Sequence, residues 1–299
     1  MLWIVNGLVY GFFTALYTLV NQRHNFNGYV LGIWRGFGIA LLFLPFMFFI
    51  PWQENINNWV LLIFQGVMIG IYDSHLFFAS GKYGAGPTSR TLVVSVWVTT
   101  MIWWIITPNL FISLVMDANR FITLLIVLVG FCVSYWYMIK AQISRELMEY
   151  ITPAVFALAG MSVATKEIAV MGQNVWYNII YYLVVATFVS GIYNSVMFVY
   201  YNRPSISSFF KTVFAQEIVK VGMYIVCFSA VLIVSKTMAM RLAPNPGYVV
   251  TLLLISPIFV FFLNKYNKIP DNVSLKAGFS MLFFLVLLML IINMDSITD

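Results

Sequence analysis

Two ionisable side chains stand two positions apart inside an apolar run, in "GIYDSHLFF" at residues 70–78. A carboxylate at Asp73 is suited to holding a cationic amine or to taking up a proton, and an imidazole at His75 is a nearby proton acceptor. On a helix a two-residue step turns the side chain by about 200°, so the two cannot grip one ligand from one face. His75 shares a face with Tyr72 and Ala79, whereas Asp73 shares one with Gly66, Ile69 and Phe77. At most one of them looks straight into a binding space. The alternative for either is an interhelical polar contact that stabilises the fold.

Other polar groups interrupt apolar runs in the same way. Arg35 offers the planar donor fork that clamps a carboxylate or phosphate; as a structural group it would bond helix-end carbonyls or snorkel outward. Lys166 suits an anionic group or, equally, a snorkel at a helix end, and its neighbour Glu167 points away from it. Trp97 falls mid-run and could face a quaternary ammonium, whereas aromatic residues elsewhere fit an interfacial belt. Cys132 and Cys227 lie in apolar segments and read as small core hydrophobes. The sequence carries no Ser-His-Asp arrangement, no His/Cys/Asp cluster at metal-ligand spacing and no phosphate-cradling glycine loop. No enzyme activity, cofactor or metal is expected.

The elements that position these groups follow from composition. The 299-residue chain is 62% hydrophobic, 18% aromatic and only 9% charged. A soluble domain carries about 25% charged residues, so this surface faces lipid. The net charge of +6 sits in short segments between apolar runs, which suits anionic head groups. No basic cluster interleaved with aromatics points to nucleic acid. Cutting at charged, Pro or Asn-rich breaks yields ten spans: 2–20, 28–50, 57–79, 87–108, 119–139, 151–172, 175–200, 216–238, 243–264 and 273–293. Each approaches the ~20 residues that a bilayer crossing needs, and backbone groups in lipid must bond internally, so the spans are helices. The opening "MLWIVNGLVYGFF" lacks a basic n-region and reads as the first span rather than a signal peptide. Asp73 then lies six residues from the end of span 3, about 9 Å deep.

Residues 32–36, "GIWRG", and 191–195, "GIYNS", are 159 positions apart. The same offset lays "KYGAGPTSRTLVVS" (82–95) on "RLAPNPGYVVTLLL" (241–254), matching Lys82 with Arg241 and Pro87 with Pro246. Two separated matches at one offset imply two copies of a five-helix unit, 1–145 and 146–299. An odd number of spans per copy puts the copies in opposite orientation. Inverted repeats build many secondary transporters, with the substrate near midplane between the halves. The expected fold is therefore all-α integral membrane, with ten transmembrane helices as two inverted five-helix repeats. At this offset Asp73 falls on Leu232 and His75 on Val234. The scaffold is duplicated and the polar pair is not, which favours function over a contact that the fold requires.

These residues resemble the drug/metabolite transporter superfamily in its ten-helix EamA-like branch. The resemblance is carried by "WRGFGIALLFLP" (34–45), by "GKYGAGPTSRTLVVS" (81–95), and by "RLAPNPGYVVTLLLISPIFVFFL" (241–263) with Ser256-Pro257 midway. The chain departs from the family at Asn6-Gly7, where a Trp-Gly pair is common, and at "NKYNK" (264–268), where an acid is common. The resemblance implies a central cavity lined mainly by spans 1, 3, 4, 6, 8 and 9, with alternating access to small metabolites. It adds Asn6, Tyr10, Asn245 and Tyr248 as cavity residues by span number, and it places Trp97 at the cavity. It also implies both termini in the cytoplasm. The positive-inside rule disagrees: loops after odd-numbered spans carry most of the Lys and Arg, with Arg120, Lys236 and Arg241 assigned to loops on the other side. The family orientation is the expectation taken forward.

Together these readings imply a secondary transporter of a small polar metabolite across the cytoplasmic membrane, an amino acid, an amine or a related zwitterion. Protons are the candidate coupling ion. Asp73 is expected to recognise charge or couple protons, with His75 and Tyr72 in support; Arg35, Lys166, Trp97, Asn6, Tyr10, Asn245 and Tyr248 complete the candidate substrate contacts. The rivals are an uncoupled facilitator or exchanger, and an integral-membrane enzyme or scaffold acting on a lipid-linked substrate. That last class should show paired polar motifs at one membrane face, and none is visible.

Overall fold

A computed structural model describes residues 2–140, 143–172, 174–243, 245–269 and 275–293. Among the described residues the chain is helical with no strand. The long helices are α1 (Leu2–Leu19), α2 (Gly28–Met47), α3 (Ile56–Tyr83), α4 (Ala85–Ile106), α6 (Ala118–Lys140), α7 (Arg145–Val170), α8 (Val175–Asn202), α10 (Gln216–Leu242), α11 (Pro246–Tyr266) and α12 (Leu275–Asn293). Two short helices intervene, α5 (Pro108–Met116) and α9 (Ile206–Val213). Eight helices among the described residues are long and apolar enough to cross a membrane: α1 to α4, α7, α8, α10 and α11. The regions of the other two expected spans are occupied by α6 and α12. The protein has the make-up of a multi-pass integral membrane protein.

The breaks that separate apolar runs in the sequence act as helix caps. Asn27, Asn55, Asn174 and Asn245 each accept a backbone N–H two residues on, and Ser144 and Ser205 accept one three residues on. Each such bond satisfies one of the orphan donors of a helix start. Between α3 and α4 the chain turns at Gly84, whose φ of +87° is open to glycine at little cost.

Helices α3 and α10 run past charged residues beyond their expected spans, and both extensions matter. Helix α3 continues to Tyr83, so Asp73 lies ten residues (83 − 73), roughly 15 Å along the axis, from its end rather than 9 Å. Helix α10 continues to Leu242 and carries Lys236 inside the bundle instead of in a loop. Continuous backbone bonding overrides a charged residue that, in sequence alone, looks like the end of a span.

Three of the long helices are interrupted. Helix α4 tightens to 3₁₀ at Leu92–Val94 and α11 does so at Leu253–Ile255, each after a seven-residue α-helical segment. Helix α8 widens to a π turn at Tyr182–Ala186.

The main packing partners are α1 with α10, α3 with α7, α2 with α8, and α6 with α12. Further pairs are α4 with α7, α1 with α11, α2 with α10, α3 with α8, and α4 with α11. Exchanging α1, α2, α3, α4 and α6 for α7, α8, α10, α11 and α12, in that order, turns each of these pairs into itself or into another of them. Helices α2 and α8 approach each other closely at glycines. A Cβ added at Gly36 would lie 2.4 Å from the Gly191 backbone, and one at Gly32 would lie 2.4 Å from Asn194. The two related sequences "GIWRG" and "GIYNS" therefore pack on each other, and small residues allow it.

The distribution of polarity is the reverse of a soluble protein's. Phe49 and Ile105 are 84% and 79% exposed, whereas Asp73 and Arg35 are 0% and 2% exposed. A lipid-facing surface and a polar interior account for both.

Candidate functional site

Three helices bring one charged cluster together in this interior. Arg35 of α2 donates from Nη1 to Asp73 Oδ1 of α3, a fully buried ion pair. The Tyr17 hydroxyl of α1 donates to the same carboxylate oxygen at 2.8 Å. The Arg35 guanidinium also lies 5.1 Å from the centre of the Tyr17 ring. Arg35 thus neither caps a helix end nor snorkels, as its structural reading would have it. It turns inward because Asp73 supplies a counter-charge, and a buried charge is tolerable when paired and hydrogen-bonded. The pairing is incomplete: Asp73 Oδ2 and Arg35 Nε have no hydrogen-bond partner among the described residues.

Aromatic hydroxyls surround the pair. Tyr10 of α1, Tyr72 of α3 and Tyr182 of α8 are buried and within electrostatic reach of Arg35. The π turn of α8 begins at Tyr182, whose hydroxyl accepts a bond from Gln65 Nε2 at 2.7 Å. The same Gln65 nitrogen donates to Thr165 Oγ1 of α7 at 2.9 Å, so α3, α7 and α8 are tied at one point. π turns are frequent at functional sites. On α10, the Lys236 ammonium is 1% exposed, lies 5.7 Å from the centre of the Tyr10 ring, and has no hydrogen-bond partner among the described residues.

The sequence candidates divide into those that this cluster gathers and those held elsewhere. Asp73, Arg35, Tyr72 and Tyr10 come together. His75 diverges from Asp73 as the helical period requires: its Nδ1–H donates to the Ile71 carbonyl at 2.9 Å, and its ring lies 5.4 Å from Tyr150. Trp97 packs edge-on against Phe131 of α6 at 5.1 Å and lines a narrow cleft with Thr100, Trp104 and Leu128. Asn6 turns back on its own helix and donates to the Leu2 carbonyl at 3.0 Å. Tyr248 is buried with its ring 6.3 Å from that of Trp3.

Asn245 and Lys166 serve helix ends. Asn245 caps α11 by accepting from Gly247 N at 2.7 Å. Lys166 reaches from α7 to the end of α10, where it donates to the carbonyls of Met240 and Ala243. Arg241 returns the bond, donating to the Ala169 carbonyl of α7 at 2.9 Å. Final helix carbonyls lack intrahelical donors, and these two cations supply them.

Four members of the cluster escape the sequence reading: Tyr17, Gln65, Tyr182 and Lys236. Nothing in the sequence separates Tyr17 and Tyr182 from the other members of a set of 17 tyrosines. Lys236 did have a signal, since it interrupts the apolar run "CFSAVLIVSKTMAM" (227–240). Counting it with the loops hid that signal.

A cleft of about 360 Å³ opens at one end of the bundle between α1, α10 and α11, with Gln22, Arg23, His24 and Asn267 among its lining residues. Among the described residues no group of three or more His, Cys, Asp and Glu side chains could hold a metal ion. No protein-family model matches the chain, and no curated protein matches it.

Proposed function

We propose that this chain is a secondary transporter of a small polar metabolite, built on the drug/metabolite transporter plan, that acts as a carrier and not as an enzyme. The observation that carries the reading is the buried Arg35–Asp73–Tyr17 cluster, with unpartnered polar atoms, at the centre of a bundle. Ionisable groups inside a membrane bundle are expensive and mark substrate or ion pathways. The duplicated architecture is supported by the exchange symmetry of the helix pairs and by the matching 3₁₀ turns of α4 and α11. In such a design the two units rock about a site between them. Protons are the proposed coupling ion.

Uptake by purified protein in liposomes, with and without an imposed pH gradient, tests this. Gradient-stimulated uptake of a small metabolite that Asp73→Asn abolishes is the expected result. Equal uptake with and without the gradient leaves a facilitator. Absent uptake together with a lipid product would make the protein a membrane enzyme. Orientation is open to a separate test. With Lys236 in the core, Arg120 and Arg241 remain on the poorer side, which supports both termini outside the cytoplasmic membrane, against the family-based expectation. A cysteine placed at position 299 should then react with an impermeant reagent in intact cells.

A further inference from the structure

The buried cations of the bundle are not equivalent. Arg35 holds Asp73 and Lys166 holds two carbonyls, but Lys236 Nζ has no acceptor among the described residues. Arg35, a cation of the same sign, lies within electrostatic reach of it. Tyr10 presents a ring to the ammonium at 5.7 Å, and a ring face attracts a cation without accepting its protons in regular hydrogen bonds. An ammonium desolvated this far requires an anionic or carbonyl acceptor. The buried cluster about the Tyr10, Tyr72 and Tyr182 rings holds two cations, Arg35 and Lys236, and one carboxylate, Asp73, which pairs with Arg35. The missing partner is one negative charge with oxygen acceptors.

Its location matches a ligand better than a protein group. Lys236 lies on α10 and Tyr10 on α1, the closely packed pair formed from the two halves of the chain. A cationic amine would meet two like charges there, Arg35 and Lys236, against the single carboxylate of Asp73, whose charge Arg35 already pairs. A dianion would exceed the available charge. We propose that Lys236 anchors the carboxylate of a small monoanionic metabolite, its ammonium donating to the carboxylate oxygens while the Tyr10 ring covers the other side of the cation. This rests on the transporter reading and names the substrate class for it.

The test is thermal unfolding of the purified protein in lipid nanodiscs at constant ionic strength. The probes are sodium pyruvate and sodium benzoate against the neutral isosteres pyruvamide and benzamide, all at millimolar concentration. The acids should raise the Tm and the amides should not. Lys236→Gln should weaken the acid response by about thirtyfold in concentration, the loss typical of removing one partner of a buried charge pair. Lys166→Gln should keep the response. Lys236→Arg, which retains charge, should keep part of it. Equal responses to acid and amide, no response to either acid, or an undiminished response in Lys236→Gln would each overturn the anchor. If Lys236→Gln does not fold, the wild-type acid–amide comparison and Lys236→Arg still decide. Carboxylate binding without uptake in liposomes would remove the transport reading and leave the anchor. Uptake of a carboxylate undiminished by Lys236→Gln would do the reverse.

Discussion

Lys166 and Lys236 are both buried lysines, 8% and 1% exposed, on helices α7 and α10 that pack against each other. Lys166 ends on the carbonyls of Met240 and Ala243; Lys236 ends beside an aromatic ring with no acceptor among the described residues. Neither is repeated in the other half, where the matching positions are Gly7 and Phe77. At Gly7 an added Cβ would lie 2.2 Å from the tip of the Leu252 side chain, which would have to give way before that position could carry a larger residue. A buried cation by itself therefore marks nothing. What separates a structural cation from a site is whether the fold supplies its acceptors.

Several substitutions would break or sharpen that contrast. The largest effect is expected at the paired cluster, where Asp73→Ala leaves Arg35 buried without a counter-charge and should destabilise by about 3–5 kcal/mol. The double variant Arg35→Met, Asp73→Leu should recover much of that loss in thermal unfolding. A double variant no more stable than Asp73→Ala would mean that the ion pair is not the cause. Next, Lys166→Met removes two donors from the end of α10 and should cost about 1–3 kcal/mol. Its Tm should fall while carboxylate binding survives.

Lys236→Met should have the opposite sign. Removing an unpaired buried ammonium should leave stability unchanged or raise it by about 1 kcal/mol, with carboxylate binding lost. A Tm that falls as far for Lys236→Met as for Lys166→Met would erase the distinction between the two lysines. The smallest effect belongs to the exposed pair of Lys82 with Glu146, 2.7 Å apart and largely in solvent. Lys82→Ala should leave the Tm unchanged, since exposed ion pairs contribute little. A clear shift would point to a role at the end of α3 beyond the ion pair.

What was legible in the sequence was whatever depends on local rules. Apolar runs about as long as a bilayer is thick required helices in lipid, and the breaks at Asn27 and Asn174 marked helix starts, whereas α7 begins behind Ser144, six residues before the expected 151. The helical period alone kept Asp73 and His75 apart. The offset of 159 matched the two glycine motifs that pack face to face between α2 and α8. Helix ends were less legible: α3 and α10 extend past charged residues because backbone bonding and packing continue there.

The sequence by itself determined the multi-pass membrane make-up, where the long helices lie and some of the polar groups buried in them. Tertiary structure decided which of those groups face each other. Arg35 finds Asp73 across 38 positions and Lys166 finds Met240 across 74, so neither meeting is written in any local pattern. Helix crossing and the rotation of each helix about its axis set these pairs. The same geometry leaves Lys236 beside Tyr10 without an acceptor among the described residues, a feature that only the packed helices reveal.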